Sequence, residues 1–374
     1  MKTTQSNNDI EFNNLTGTYS FVENTRNAIA WHRLGKRFDT PLTSAEAITA
    51  CNADFQVTKQ PILALSKELT DLIDAGEYID PALLQDLIIK GKVATMRDDN
   101  NETLGIVSES YGVVQNKDAF SFVDKIITGD LTDESKGAEI ECAGLLGSGE
   151  KVFITVKFPD SIKLDDEGKD VIDMYLVFTT SHDGTGAVKC MVTPVRAISN
   201  ATLNFAFPRA TGRISLRHSS NVLNRMDLTN LENAHMAYSS LKMFNEYRDQ
   251  FEAAVKELQQ KVLTMPQIED VVAYTLFSEE QFKIWKETRD LDADGISTNA
   301  KNKFNKAIET ICTSGVGQMS TGAARNTGLW VINGLTTLYQ NGFKPANDEV
   351  FFNSMMDGYI YGKIQKAYQA ILKA

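Results

Sequence analysis

Residues 140–158 read IECAGLLGSGEKVFITVKF, and this stretch decides the fold. Two apolar runs, Ile140–Leu146 and Lys151–Phe158, flank Gly147-Ser148-Gly149-Glu150. Apolar runs on either side of a glycine-rich tetrapeptide specify an antiparallel hairpin, because glycine supplies the backbone angles of a tight reversal. The pattern continues downstream. After the acidic loop Lys163–Asp173, Met174–Thr180 reads as a third strand, and the turn His182-Asp183-Gly184-Thr185-Gly186 returns the chain through Ala187–Val192. Asn200 is placed to cap a helix running through Phe207. Strand, strand, strand, strand, helix is a β-β-β-α-like antiparallel core.

Upstream, short elements alternate. Thr43 and Glu46 have capping-box spacing at the head of a short helix. Phe55–Ile62 alternates as a strand, and a helical stretch with Leu65, Leu69 and Ile73 lies between Pro61 and Pro81. Lys92–Arg97 and Thr103–Val107 form a hairpin around Asp98-Asp99-Asn100-Asn101. Tyr111–Val114 reads as a further strand, leading into a helix capped by Asn116 with Phe120, Val123 and Ile127 on one face.

From Asp227 onward the helical period takes over. Thr229 and Glu232 form a capping box, and Leu231, Tyr238, Leu241, Phe244, Phe251, Val255, Leu258 and Val262 run down one face. Glu252–Lys256 and Glu257–Lys261 are favourable i,i+4 pairs. Further helices are expected around Gln267–Phe277, Ala300–Cys312, Asn326–Gln340 and Glu349–Leu372. The fold class is therefore α+β, an antiparallel β-rich N-terminal and central region followed by an all-helical C-terminal region. Residues 1–24 read as a mobile leader, 25–226 as an α+β domain and 227–374 as the helical region. The boundary near 227 separates either two domains or two layers of one.

Charge singles out one segment of that domain. The chain of 374 residues has 49 acids against 38 Lys and Arg, a net charge of −11, which opposes indiscriminate binding to polyanions. From Gly184 to Met226, however, there is no Asp or Glu, where a share proportional to length would place about 5 or 6 of the 49. The segment instead holds Lys189, Arg196, Arg209, Arg213, Arg217 and Arg225, with His182 and His218 near its ends. Arginine suits phosphate because its planar fork donates two hydrogen bonds and is always charged. Arg209, Arg213 and Arg217 share one face if the region is helical, and form a basic loop if Gly212 breaks it. Phe205 and Phe207 next to these cations suit either base stacking or the core. A second patch, Arg26, His32, Arg33, Lys36 and Arg37 around Trp31, offers the same chemistry, or a tryptophan that anchors the N-terminal arm.

Other motifs have simpler readings. Cys51, Cys142, Cys190 and Cys312 are scattered without CxxC spacing, as expected of reduced, mostly buried thiols in a cytoplasmic protein. No run approaches the roughly 20 apolar residues of a membrane span, and the polar start MKTTQSNNDIEFNN has no signal-peptide core. Asp183-Gly184 is explained by turn chemistry, and makes a metal or acid–base site only if His182 and His218 converge with it. Asp290-Leu291-Asp292-Ala293-Asp294-Gly295 resembles the opening of a calcium loop, but Lys301 stands where the bidentate Glu is required, so an acidic turn between helices is expected. Gly315-Val316-Gly317 lacks the lysine of a phosphate loop. No catalytic residue, metal or cofactor is assigned.

Several segments together carry a resemblance: Ala30-Trp31-His32-Arg33-Leu34-Gly35, Ser110–Asn116, Ser181-His182-Asp183-Gly184 running to Thr193-Pro194-Val195-Arg196, Asn200-Ala201-Thr202-Leu203, Arg217-His218 and Asn326–Trp330. Over roughly residues 25 to 345 the chain resembles the phage/plasmid-like family catalogued as domain of unknown function 932. The resemblance implies a mobile genetic element in bacterial cytoplasm and no particular activity. Members often carry Cys before the Asn of the last-but-two block, where this chain has Ser199, which speaks against thiol chemistry there. In outline the strand–helix order is similar to phage single-strand annealing recombinases, which form rings or filaments, and that analogy implies a homo-oligomer.

The expected function is binding of single-stranded DNA, extending to annealing of complementary strands. Lys189, Arg196, Arg209, Arg213, Arg217, Arg225, His218 and Arg33 would hold phosphates, and Trp31 or Phe205 would stack on bases. Annealing is driven by base pairing and needs no cofactor. The alternative is a non-enzymatic virion or host-interaction protein docking a protein partner. A third reading, a metal-dependent nuclease, requires His182, Asp183 and His218 to meet in one pocket.

Overall fold

A computed structural model describes residues 12–13, 18–19, 21–24, 36–38, 40–129, 133–164, 168, 171–186, 188–196, 201–202, 212–216, 230–317, 325–339, 354 and 358–374. In chain order, β1 (Phe12–Asn13) pairs with β2 (Thr18–Tyr19), and β3 (Phe21–Asn24) runs parallel to β4 (Lys36–Phe38). Helix α1 (Ser44–Ala50) starts at the reciprocal Thr43–Glu46 capping box that the spacing predicts. β5 (Val57–Leu63), β6 (Ile88–Arg97) and β7 (Thr103–Ser108) make a three-stranded antiparallel sheet, with α2 (Lys67–Ala75) and α3 (Pro81–Asp86) between its first two strands. Helix α2 is bounded by its Ser66 cap and by Gly76, whose φ of 66° glycine adopts without strain. Two short helices follow, α4 (Asn116–Phe120) and α5 (Val123–Ile127).

The hairpin at 140–158 forms as expected and becomes the middle of a nine-stranded sheet. β8 (Glu139–Leu146) and β9 (Lys151–Lys157) pair antiparallel, and β11 (Val171–Ser181) then pairs with β9 and with β12 (Val188–Arg196). β10 (Ile162–Lys163) adds to β11, while β13 (Ala201–Thr202) and β14 (Arg213–Leu216) both pair with β12. β3 joins on the far side, against β8.

Strand alternation gives this sheet two faces. Ile172, Met174, Leu176 and Phe178 of β11 point to the inner face with Val152, Ile154 and Val156 of β9 and Val188, Cys190 and Val192 of β12, all buried. Helix α6 (Asn230–Gln260) covers that face with Leu241, Phe244, Tyr247, Phe251, Val255 and Leu258. Phe244 stacks on Phe158 at 3.8 Å between centroids, and Phe122 of the α4–α5 link meets Phe178 edge-on at 5.2 Å. Beyond α6 come α7 (Met265–Leu276), α8 (Glu279–Thr288), α9 (Thr298–Gly317), α10 (Gly328–Thr337) and α11 (Tyr359–Lys373). Their apolar faces join the same cluster of buried side chains, which is continuous from Ala47 to Ile371. Among the described residues no helix is long and apolar enough to cross a membrane. The architecture is α+β: antiparallel sheets first, helices after.

Several local expectations fail for identifiable reasons. Tyr111–Val114 joins no ladder, because the Gln115 side chain takes the pairing: its amide accepts from Val57 N at 2.9 Å and donates to Val57 O at 3.0 Å. Asn116 is the first residue of α4 rather than its cap, and its side chain is spent on tertiary contacts. Position 201, expected inside a helix capped by Asn200, lies in β13, since β12 still has an open edge there; Asn200 and residues 203–207 lie outside the described residues. Tyr238 of α6 faces solvent, as does Val262 just past the helix's end, and Thr229 with the Glu232 side chain falls outside the described residues. Lys256 does pair with Glu252 at 2.7 Å, but Lys261 donates to Leu372 O at 2.9 Å, tying the end of α6 to α11. Helix α8, not expected from the sequence, starts at a Ser278–Gln281 capping box. The Asp290–Gly295 segment is a turn, in which Lys301 takes the Asp292 carboxylate at 2.8 Å.

Helices α9 and α10 meet almost backbone to backbone. A Cβ at Gly334 would lie 2.6 Å from Ile311 Cα, and backbone cannot retreat as a flexible side chain can. Gly→Ala within a helix ordinarily stabilises by about 1 kcal/mol. Gly334→Ala should instead destabilise by about 1–3 kcal/mol, the cost of overpacking. Urea unfolding followed by circular dichroism will read the sign directly.

Candidate functional site

The tip of the β11–β12 hairpin is held by polar contacts that reach three other elements. His182 is fully buried. Its backbone N–H donates to Glu150 O at 2.7 Å, and its carbonyl accepts from Thr95 Oγ1 of β6 at 2.6 Å. Asn116 donates to Ala53 O at 2.9 Å, which leaves its Oδ1 to accept from His182 Nε2 at 2.8 Å. The imidazole stands edge-on to Phe55, and Tyr111 donates its hydroxyl to Ser181 O at 3.0 Å. Burial, and behind it the Asp183 charge, push the Tyr111 phenol well above its ordinary range, so it stays a neutral donor. Gly105 of β7 passes so close to the Asp183 backbone that a Cβ would lie 2.5 Å from Asp183 Cα. Nearby, Arg97 donates twice to Asp99, at 2.9 and 2.7 Å, and once to Ser148 O at 2.7 Å, with its guanidinium 4.0 Å from the Phe55 ring centre.

These contacts give His182-Asp183-Gly184 a mechanical role. The imidazole turns inward to Asn116, whereas the Asp183 carboxylate turns back on its own loop to accept from Thr185 N at 2.8 Å and Thr185 Oγ1 at 2.6 Å. Lys151 lies 3.8 Å away. Among the described residues no three His, Cys, Asp or Glu side chains gather as a metal site would require, and His218 lies outside them.

The outer face of the sheet is different in kind. Pairing aligns Thr155, Val177, Met191 and Arg213 in one row and Phe153, Thr179, Lys189 and Ser215 in the next. Val177 and Met191 form a small apolar cluster apart from the main core. Lys157, Tyr175 and Thr193 make a third row, with Asp173 one step beyond on β11. Lys157 binds Asp173 at 2.8 Å, and Ser161 donates to the other carboxylate oxygen at 2.5 Å. A register shift between Ile140 and Cys142 makes Glu141 a bulge residue. Burial drives the Tyr175 phenol far up, assisted by the carboxylates of Glu141, to which it is hydrogen-bonded, and Asp173. Thr193 Oγ1 is buried on this face without a hydrogen-bond partner.

Of the residues singled out in the sequence, Lys189 and Arg213 come together here: Arg213 pairs with Met191, so it sits diagonally from Lys189 on one face of adjacent strands. Arg213 is in a strand, not on a helix face or in a loop. Arg196 ends β12 opposite Ala201, and its side chain is not among those described. Trp31, Arg33, Phe205, Arg209, Arg217, His218 and Arg225 lie outside the described residues. Lys157, Asp173, Tyr175 and Thr193 were missed. The signal for them was the period-2 alternation, which puts every second residue of β9, β11 and β12 on this face once the inner set is assigned. Cys51 and Cys190 are buried, and desolvation pushes both thiols up to about 12, which fits their reading as inert core residues.

A family model described as domain of unknown function (DUF932) matches residues 103–346. No curated protein and no solved structure matches the chain.

The Lys157–Asp173 pair is only 20% and 11% exposed, so removing one partner strands the other charge in a poorly solvated place. Lys157→Met is expected to destabilise by about 3 kcal/mol. Lys157→Met/Asp173→Asn should recover at least about 1 kcal/mol of that loss. A double-mutant cycle in urea measures both figures; strict additivity would show that the pair is not coupled.

Proposed function

The chain belongs to the DUF932 family, whose description names no activity, and we propose from its own geometry that it binds single-stranded DNA. The binding surface is the outer face of the large sheet at β12 and β14. The observation that carries this reading is the antiparallel pairing of those strands, which seats Arg213 beside Lys189 on the face turned away from α6. Both belong to the acid-free segment Gly184–Met226 of a chain whose net charge is −11. A local cation pair on an anionic body attracts a polyanion to one place and repels it elsewhere.

Other features support the same use. Thr193 offers a buried hydroxyl that a polar group could satisfy. Arg196, Arg209, Arg217 and Arg225 extend the cationic run along the chain, with His218 beside Arg217. Trp31, Arg33 and Phe205 are the further stacking and phosphate candidates. In a bacteriophage or plasmid protein of bacterial cytoplasm, the activity such a face serves is annealing of complementary strands. Base pairing then drives the reaction, and the protein holds the backbones.

Fluorescence anisotropy of a labelled single-stranded oligonucleotide across a salt series tests this. The affinity should fall steeply with salt. Lys189→Glu/Arg213→Glu should weaken binding and flatten the log–log slope by about 1.4, the value for two phosphate contacts on a single strand. Absence of binding at low salt, or an unchanged slope in the variant, would remove the reading.

A further inference from the structure

The three-stranded sheet and its two helices leave an anomaly on the surface. Between Thr58 and Val93, Leu69 is the one buried side chain. Helix α3 buries none, although its Pro81 start and Asp80 cap are well made. Six large apolar side chains of this wing face solvent: Leu63, Leu65, Ile73, Tyr78, Ile89 and Ile106, with Leu65 71% and Tyr78 81% exposed. Elsewhere among the described residues the exposed side chains of this kind are Tyr238, Val262, Met265 and Tyr359. Exposed apolar side chains concentrated in one segment of a chain mark a contact surface. The ladder also thins outward, since β7 ends opposite Lys92 and only β5 and β6 continue. A two-stranded ribbon open on both faces is marginal by itself.

The charges of the wing are separated along its length. From Ala64 to Leu87, around α2 and α3, there are Glu68, Asp71, Asp74, Glu77, Asp80 and Asp86 against Lys67 alone. The ribbon strands β5 and β6 contain no acid and carry Lys59, Lys90 and Lys92 in addition to Arg97, which Asp99 neutralises. The helical end is acidic and the ribbon is basic, with apolar side chains on both.

We propose that the wing is a dimerisation arm whose occupant is a second copy of this chain. Two wings crossed about a two-fold axis in antiparallel fashion put the acidic helical end of each on the basic ribbon of the other. Leu65, Ile73 and Tyr78 then cover Leu63 and Ile89. A two-fold contact has to be self-complementary, and a surface with an acidic end and a basic end meets that condition. Parallel stacking would set acid on acid. The wing shares no residue with the β12–β14 face, so this inference and the DNA-binding reading stand or fall separately.

Sedimentation velocity of the full chain over a concentration series is the test, with circular dichroism to verify that each variant is folded. The wild type should dimerise, and more weakly at high salt. Ile73→Glu/Tyr78→Glu, both at exposed positions, should raise the dimer dissociation constant roughly tenfold or more. Lys90→Glu/Lys92→Glu and Asp71→Lys/Asp74→Lys should each weaken self-association. Mixed in equal amounts, the last two should recover part of the dimer, because the reversed ribbon of one chain then faces the reversed positions of α2 on the other. A monomeric wild type throughout the micromolar range, a dimer that none of the variants weakens, or a mixture that recovers nothing would each overturn the proposal.

Discussion

Ile172, Met174, Leu176 and Phe178 have to be kept from water, and α6 is what keeps them so. Burying a side chain of that size is worth about 1.5–3 kcal/mol, so the inner face of β9, β11 and β12 is a large source of cohesion. The arrangement of everything else follows. With α6 across one face, every residue of opposite parity is sent to the other, and polar and charged side chains accumulate there. Even β14 is placed from this side. Gly212 just before it has a φ of +59°, and a Cβ at that position would lie 2.5 Å from the Tyr247 ring of α6. The helix therefore selects glycine at 212, and Arg213 emerges on the far face as a consequence.

A second constraint holds the small sheet to the large one. It is made of backbone carbonyls of Ser181, His182 and Ser148 received by Tyr111, Thr95 and Arg97. Side-chain donors on one element and main-chain acceptors on the other give a joint with fixed geometry. His182-Asp183 had the composition of a catalytic or metal pair. In place it serves to seat a hairpin tip, with the imidazole Nε2 held by an asparagine 66 residues away in the chain.

How much of this the sequence disclosed depends on how local the cause is. The hairpin at 140–158, the Thr43–Glu46 box and the buried stripe from Leu241 to Leu258 were legible, because each is set by neighbours within a few residues. The roles of Gln115 and Asn116 were not, since both act on partners some 60 residues away. The pairing of Arg213 with Met191 was equally hidden: nothing near Gly212 announces which strand β14 will join. The wing shows the same limit from the other direction. Leu65 and Ile73 have the spacing of a core helix, and only the absence of anything packed over them distinguishes an arm from a core.

The order of the layers along the chain has a consequence during synthesis. All strands of the large sheet precede α6, so a ribosome delivers the apolar inner face before its cover. From Leu216, the end of β14, to Gln260, the end of α6, translation at about 5–20 residues per second takes roughly 2–9 s. For that interval the nascent sheet carries Ile154 and Leu176 without the cover of α6, at the stage when chaperones and neighbouring nascent chains compete for such surfaces. Slow codons between positions 216 and 260 would lengthen the exposure, and fast ones would shorten it.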